Sequence, residues 1–171
     1  MDYKALKFTA ETPYPEICVR EVNYKYARWM LDNLGGVNSE MSAVSLYFYN
    51  NLLTSCEHQD IAFVFHKISV VEMHHLEIFG KLAMGLGEDP KLWTQYRNRK
   101  VYWSPSYNQY PMKLAPLMYH ALNSEKDAIK KYESQLCNTD DENIADNLRR
   151  ILLDEKIHVR IFEDIICDCH L

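Results

Sequence analysis

Two short motifs hold the side chains of this sequence best suited to chemistry: Glu72-Met-His-His75 and Glu155-Lys-Ile-His158, each a carboxylate and an imidazole three residues apart. On a helix that spacing puts both groups on one face. Each motif follows a lone acid that has a tyrosine seven residues later, Glu40 with Tyr47 and Glu125 with Tyr132. The acid–tyrosine pairs repeat at an offset of 85 and the Glu-x-x-His pairs at 83. The chain therefore reads as a weak internal duplication, each copy a helix bearing Glu-x6-Tyr and a helix bearing Glu-x-x-His.

At about 100° per residue, Glu72 and His75 fall on the apolar stripe of Phe65, Ile68, Phe79 and Leu82. Glu155 and His158 fall on that of Ile144, Leu148, Ile151, Phe162 and Ile165, and Glu125 sits with Met118, Ala121, Ile129 and Tyr132. Uncompensated burial of a carboxylate costs several kcal/mol, and four would exhaust a net stability of about 5–15 kcal/mol. Two divalent cations remove the objection, balancing four carboxylates while neutral imidazoles complete the shells. Mixed carboxylate and imidazole ligation suits iron or manganese better than a tetrahedral structural zinc.

A lone Glu-x-x-His is commonly a solvated helix face or a core histidine. Two of them on apolar stripes, each preceded by an inward glutamate, point instead to a two-metal site of Glu40, Glu72, His75, Glu125, Glu155 and His158. Tyr47 and Tyr132 are expected to bond ligand carboxylates from behind. His74 points away from His75, and His58, His66 and His120 read as structural. The tail, Cys167-Asp-Cys169-His170, lacks a fourth ligand nearby and is expected to fray.

The elements that must position these groups are legible from periodicity and punctuation. A first helical segment spans about Asn23 to Ser55, with Gly35-Gly36 either kinking one helix or separating two. A second runs from about Asp60 to Met84, ended by Gly85, Gly87 and Pro90. A third spans about Leu114 to Leu136. A fourth opens on a capping-box pattern, Thr139 to Glu142, and runs to about Ile166. The aromatic stretch Lys91–Pro111 shows no sustained period and is expected to lack regular structure. In a bundle such a stretch returns along the axis between parallel helices, with its aromatics packing it down. The expected architecture is all-α: one domain over 1–171, an antiparallel four-helix bundle with an N-terminal extension to about residue 22, a crossover at 91–111 and a tail at 167–171.

A net charge of −5 argues against non-specific binding to nucleic acid or anionic membrane. No apolar run is long enough for a signal peptide or a membrane span. Five irregularly spaced cysteines do not form a disulfide framework, so a reducing cytoplasm is expected.

With these residues in place, the sequence from Asn23 to Ile166 resembles the ferritin-like di-metal carboxylate superfamily. Gly35-Gly36-Val-Asn-Ser-Glu40-Met-Ser-Ala43 is similar to the short manganese-catalase-like branch, and Glu72-Met-His-His75-Leu-Glu-Ile-Phe-Gly80 to rubrerythrins. The resemblance implies terminal ligands at Glu40 and Glu125, bridging catalytic carboxylates at Glu72 and Glu155, and one imidazole per metal from His75 and His158. In manganese catalases the Glu155 position can instead stand behind the ligands. Two departures from rubrerythrins stand out: no paired Cys-x-x-Cys module is present, and the extra carboxylate one turn after the third-helix ligand is replaced by Ala128. The first removes an attached iron centre as electron source, and the second argues against the iron-shift mechanism tied to that carboxylate.

The expected function is an oxidoreductase of oxidative stress defence acting on hydrogen peroxide, in a homo-oligomer. With manganese it would disproportionate peroxide unaided, and with iron it would need an external electron donor. The alternatives are ferritin-like iron binding with ferroxidase activity on dioxygen, or a structural coat protein. A di-iron oxygenase ranks third.

Overall fold

A first helix, α1 (Tyr24–Gly35), is followed by α2 (Glu40–Thr54), α3 (Gln59–Gly85), a hairpin of β1 (Trp93–Tyr96) and β2 (Arg99–Tyr102), α4 (Leu114–Asn138) and α5 (Glu142–Asp168). The structure, a computed structural model, describes residues 3–97 and 99–171.

Gly35-Gly36 separates two helices rather than bending one. The Gly36 N–H closes α1 onto the Asp32 carbonyl. A Cβ at Gly35 would lie 2.6 Å from the Leu92 carbonyl carbon, so only glycine lets the crossover backbone approach here. Ser39 then caps α2, its hydroxyl accepting from the Ser42 N–H. At the far end of α3, Gly87 takes φ +96° and turns the chain out of the helix. The expected Thr139 capping box does not form. Asp141 is the cap, accepting from the Asn143 N–H, while Thr139 Oγ1 accepts from Asp141 N.

Rungs between side chains give the helix directions. Asn51 donates to the Ala62 carbonyl and Tyr47 packs on Phe65, while Glu40 lies beside His75, so α2 and α3 run antiparallel. Lys126 pairs with Glu163 and Lys156 with Glu133, so α4 and α5 do too. Tyr47 reaches Glu125 and Tyr132 reaches Glu40, making α2 antiparallel to α4. It follows that α3 and α4 are parallel, and the chain between them must return the length of the bundle.

That return is more regular than its composition suggests. Trp93 to Tyr96 pairs antiparallel with Arg99 to Tyr102, and a 3-10 turn follows at Pro105–Tyr107. The hairpin turn has Arg97 at φ 48° where an Asn-Gly signal would have announced it, and residue 98 lies outside the described residues. Trp93 is buried, Trp103 Nε1 donates to Ser42 Oγ, and Tyr110 packs on Tyr49. Tyr96 and Tyr102, by contrast, are exposed.

The apolar core forms two clusters. One gathers Met30, Leu34, Phe79, Leu82, Leu148 and Ile151; the other gathers Leu46, Phe65, Ile68, Met118, Phe162 and Ile165. Between them in chain position lies a polar layer, which carries the six residues singled out above. Among the described residues, no helix is long and apolar enough to cross a membrane.

Candidate metal centre

Glu40 opens α2, Glu72 and His75 lie mid-way along α3, Glu125 on α4, and Glu155 and His158 on α5. All six side chains are at most 3% exposed. Their ligand atoms form two groups, each within 4.8 Å: Glu40, Glu72, His75 and Glu155, and then Glu72, Glu125, Glu155 and His158. Glu72 and Glu155 belong to both. Among the described residues no other histidine, cysteine or acid converges this way, so the Cys167–His170 tail forms no such group. Nor is the tail loose: α5 continues to Asp168 and Cys169 N donates to the Ile165 carbonyl.

Both imidazoles turn Nδ1 toward the centre. His75 Nδ1 is 3.0 Å from Glu72 Oε2 and 3.2 Å from Glu155 Oε1. His158 Nδ1 is 2.9 Å from Glu72 Oε1 and 3.6 Å from Glu155 Oε2. The two Glu155 oxygens thus face opposite halves of the site, as a bridging group requires. Yet Glu155 Oε1 and Oε2, Glu72 Oε1 and His158 Nδ1 are buried without an aligned hydrogen bond. Buried polar atoms that converge without bonding one another need another partner, and cations between them fit the donor set.

The tyrosines cross between the halves. Tyr47 donates to Glu125 and Tyr132 to Glu40, each to the glutamate of the other repeat. Burial, then the charge of the facing glutamate, holds both phenols well above their usual range, so both remain donors.

Charge in the cluster is balanced by protons when no metal is bound. Burial and the charges of Glu72 and Glu155 push Glu40 and Glu125 well above the usual carboxylate range. Burial also disfavours an ionised Glu155, but the polar groups of Glu125, His158 and His75 close around it hold it well below that range. The imidazoles rise despite burial, His158 to about 9, because carboxylates surround them. Two neutral acids, two carboxylates and two imidazoliums leave the layer neutral.

The residues behind His75 were not foreseen. Asp154 Oδ2 lies 3.1 Å from His75 Nε2 and accepts from Tyr14 OH, while Oδ1 accepts from Ala10 N at 2.7 Å and pairs with Arg150 at 2.6 Å. A carboxylate there fixes the ring and aims Nδ1 inward. The legible signal was Arg150 and Asp154, opposite charges four apart on an apolar stripe. His158 Nε2 instead lies 3.0 Å from the Phe8 carbonyl, a backbone group no motif marks. The N-terminal extension thus backs both imidazoles.

A cavity of about 290 Å³ opens on the opposite side. It reaches Glu40, Glu72, Glu125 and Glu155 but touches neither His75 nor His158, and Tyr107, Asn108 and Gln109 of the crossover contribute to its wall. His120, expected to be merely structural, also lines it. Burial lowers the His120 pKa, keeping the ring neutral. His74 is on the surface beside Glu77, as expected.

A family model described as Rubrerythrin matches residues 35–166. No curated protein matches the chain. Among solved structures, KatB, a manganese catalase from Anabaena PCC7120, aligns with a TM-score of 0.83 at 21% identity, over 96% of this chain and 81% of that one. A wild-type KatB structure from Anabaena aligns at 0.79, with the same identity and coverage. A dodecameric thioferritin, the bacterioferritin-related protein from Bacteroides fragilis, aligns at 0.70 with 18% identity, over 88% and 89% of the two chains. At such identities these likenesses speak for the fold.

Proposed function

The chain belongs to the rubrerythrin family, and from that premise we propose that it holds two iron or manganese ions and consumes hydrogen peroxide. Glu40 and His75 would serve one ion, Glu125 and His158 the other, with Glu72 and Glu155 bridging. The observation that carries the reading is the pair of overlapping ligand groups sharing Glu72 and Glu155, three of whose four carboxylate oxygens are buried without an aligned partner. Ions bound there would supply Lewis acidity and redox chemistry toward an O–O group.

The protein's own groups do the rest. Asp154 and the Phe8 carbonyl hold the rings, Tyr47 and Tyr132 hold the terminal carboxylates, and the N-terminal segment backs the histidine side. Solutes are left the cavity on the other side. Its modest volume and its asparagine, serine and glutamine walls favour a small hydrophilic substrate over a bulky apolar one. The likeness to a manganese catalase supports disproportionation, which needs no external donor; with iron, a separate protein would supply electrons. The dodecameric neighbour supports assembly as a homo-oligomer.

Metal analysis of protein produced with both metals available identifies the ion. Oxygen evolution from peroxide without reductant is then expected of the manganese form, and peroxide consumption only with a donor of the iron form. A fully loaded protein inert in both assays would end the peroxide reading. Glu72→Ala with His158→Ala should remove most bound metal, and two ions retained per chain would sink the ligand assignment.

A further inference from the structure

Helix α2 carries no charged side chain after Glu40. A helix face in water is normally polar or charged, yet Phe48 and Leu52 on the outer side of α2 are 62% and 56% exposed. Met41 and Val44 share that side; both are half-buried and belong to neither core cluster. The four recur at intervals of three, four and four residues, the spacing with which one helix packs on another.

The face continues across the seam onto α3. The Asn51 side chain donates to the Ala62 carbonyl at 2.7 Å and Glu40 lies beside His75, which sets Val44 level with Val70 and Met41 level with Met73. At about 100° per residue, Val44 and Phe48 lie just outward of Asn51, and Met73 and Val70 just outward of Ala62, so the two sets meet on the outside of the bundle. Val70 and Met73 are 46% and 47% exposed. Together the six residues leave about 500 Å² of apolar surface open, toward the upper end of the largest patch a monomer keeps.

We infer that this face is covered in solution by the same face of a second copy, the two α2 helices lying antiparallel across a two-fold axis. Three features select the copy as occupant. An axis level with residue 46 sets Val44 of each chain against Phe48 of the other, a small side chain against a large one, and Met41 against Leu52. Homodimer interfaces are about 65% apolar, so the patch corresponds to about 800 Å² buried per chain, the size of a stable contact. A helix face without charge adds no repulsion when set against itself, although each chain carries a net charge of −5. A lipid surface, by contrast, is met by lysines or arginines beside the apolar residues, and α2 has neither. The inference does not depend on the peroxide reading.

Sedimentation equilibrium of the full chain tests it. Wild type should run as an even number of chains. Phe48→Glu with Leu52→Glu sets like charges against each other in the contact and should raise the dissociation constant on the order of a hundredfold or more, halving the mass. Val70→Glu, on the other helix, should weaken association in the same direction. All three sites are exposed, so circular dichroism should show the helix content kept. A wild type that is monomeric at the highest concentration it tolerates overturns the inference. So does an assembly whose mass every variant keeps; the chain then associates through another face, and assembly as a homo-oligomer stands. A monomer that floats with phosphatidylcholine vesicles, and loses them in the variants, gives the face to a lipid surface and likewise overturns it.

Discussion

Removing Asp154 separates two things its carboxylate does. In Asp154→Ala the Arg150 guanidinium, 3% exposed, keeps its hydrogen bonds to the Thr12 and Ala10 carbonyls but loses its counter-ion. Breaking a buried pair from one side costs about 3–5 kcal/mol, a large part of a domain's stability. His75 Nε2 simultaneously loses the partner 3.1 Å away that sets its orientation. Loss of such an orienting group typically costs 10- to 100-fold in metal affinity, about 1.4–3 kcal/mol. Adding Arg150→Met removes the stranded charge without restoring the orienter. Denaturant unfolding of the metal-free protein should therefore show most of the stability returning in the double variant. Chelator competition should show its metal affinity as weak as in Asp154→Ala alone. A double variant that binds metal as tightly as wild type would show that Asp154 acts on the fold only, and the orienting argument would fail.

Metal loading near neutral pH should release about four protons per two divalent ions, from Glu40, Glu125, His75 and His158; calorimetry in buffers of different ionisation enthalpy counts them, and no net release would refute the charge assignment. Because His158 is raised to about 9 in the folded metal-free protein, its stabilisation is complete below about pH 6.5 and is lost as pH rises through 9. Thermal melts of chelator-treated protein should fall across that window, on the order of 3 kcal/mol from this group, with Glu40 and Glu125 adding to the same slope; a rising melt would contradict it. Tyr47→Phe and Tyr132→Phe, breaking equivalent bonds in the two halves, should each weaken metal binding to a similar degree in the same chelator assay.

The convergence of the six residues was legible because a charged residue on an apolar stripe breaks a strong rule, and breaking it twice at matched spacing leaves few explanations. Helices α3 to α5 were legible for the ordinary reason of period and punctuation. What escaped was local or remote. The hairpin of four-residue strands is too short to show alternation, and its turn at Arg97 lacks the usual residues. Asp141 displaced Thr139 as the cap because Asp141 also accepts from Arg20 N, a partner about 120 residues away. That His120 lines the cavity escaped because distance from the seam says nothing about a wall made jointly by α2, α4 and the crossover.

The duplication accounts for what is alike in the two halves, and the N-terminal extension for what is not. Each half supplies a terminal glutamate, a shared glutamate, an imidazole and a tyrosine that crosses to the other. Position 154 has no counterpart, since an offset of 83 places Val71 there in the first half. Asp154 on α5 therefore backs the imidazole of α3, whereas the α5 imidazole is backed by the Phe8 carbonyl. A carboxylate partner makes a ring a stronger donor to a cation than a carbonyl does. Two metals held by nearly equivalent ligands would then differ in electron density through their second partners. The asymmetry is built by residues 8–14 and Asp154, which the repeat does not match, so two ions bound at the proposed centre would behave differently despite nearly equivalent ligands.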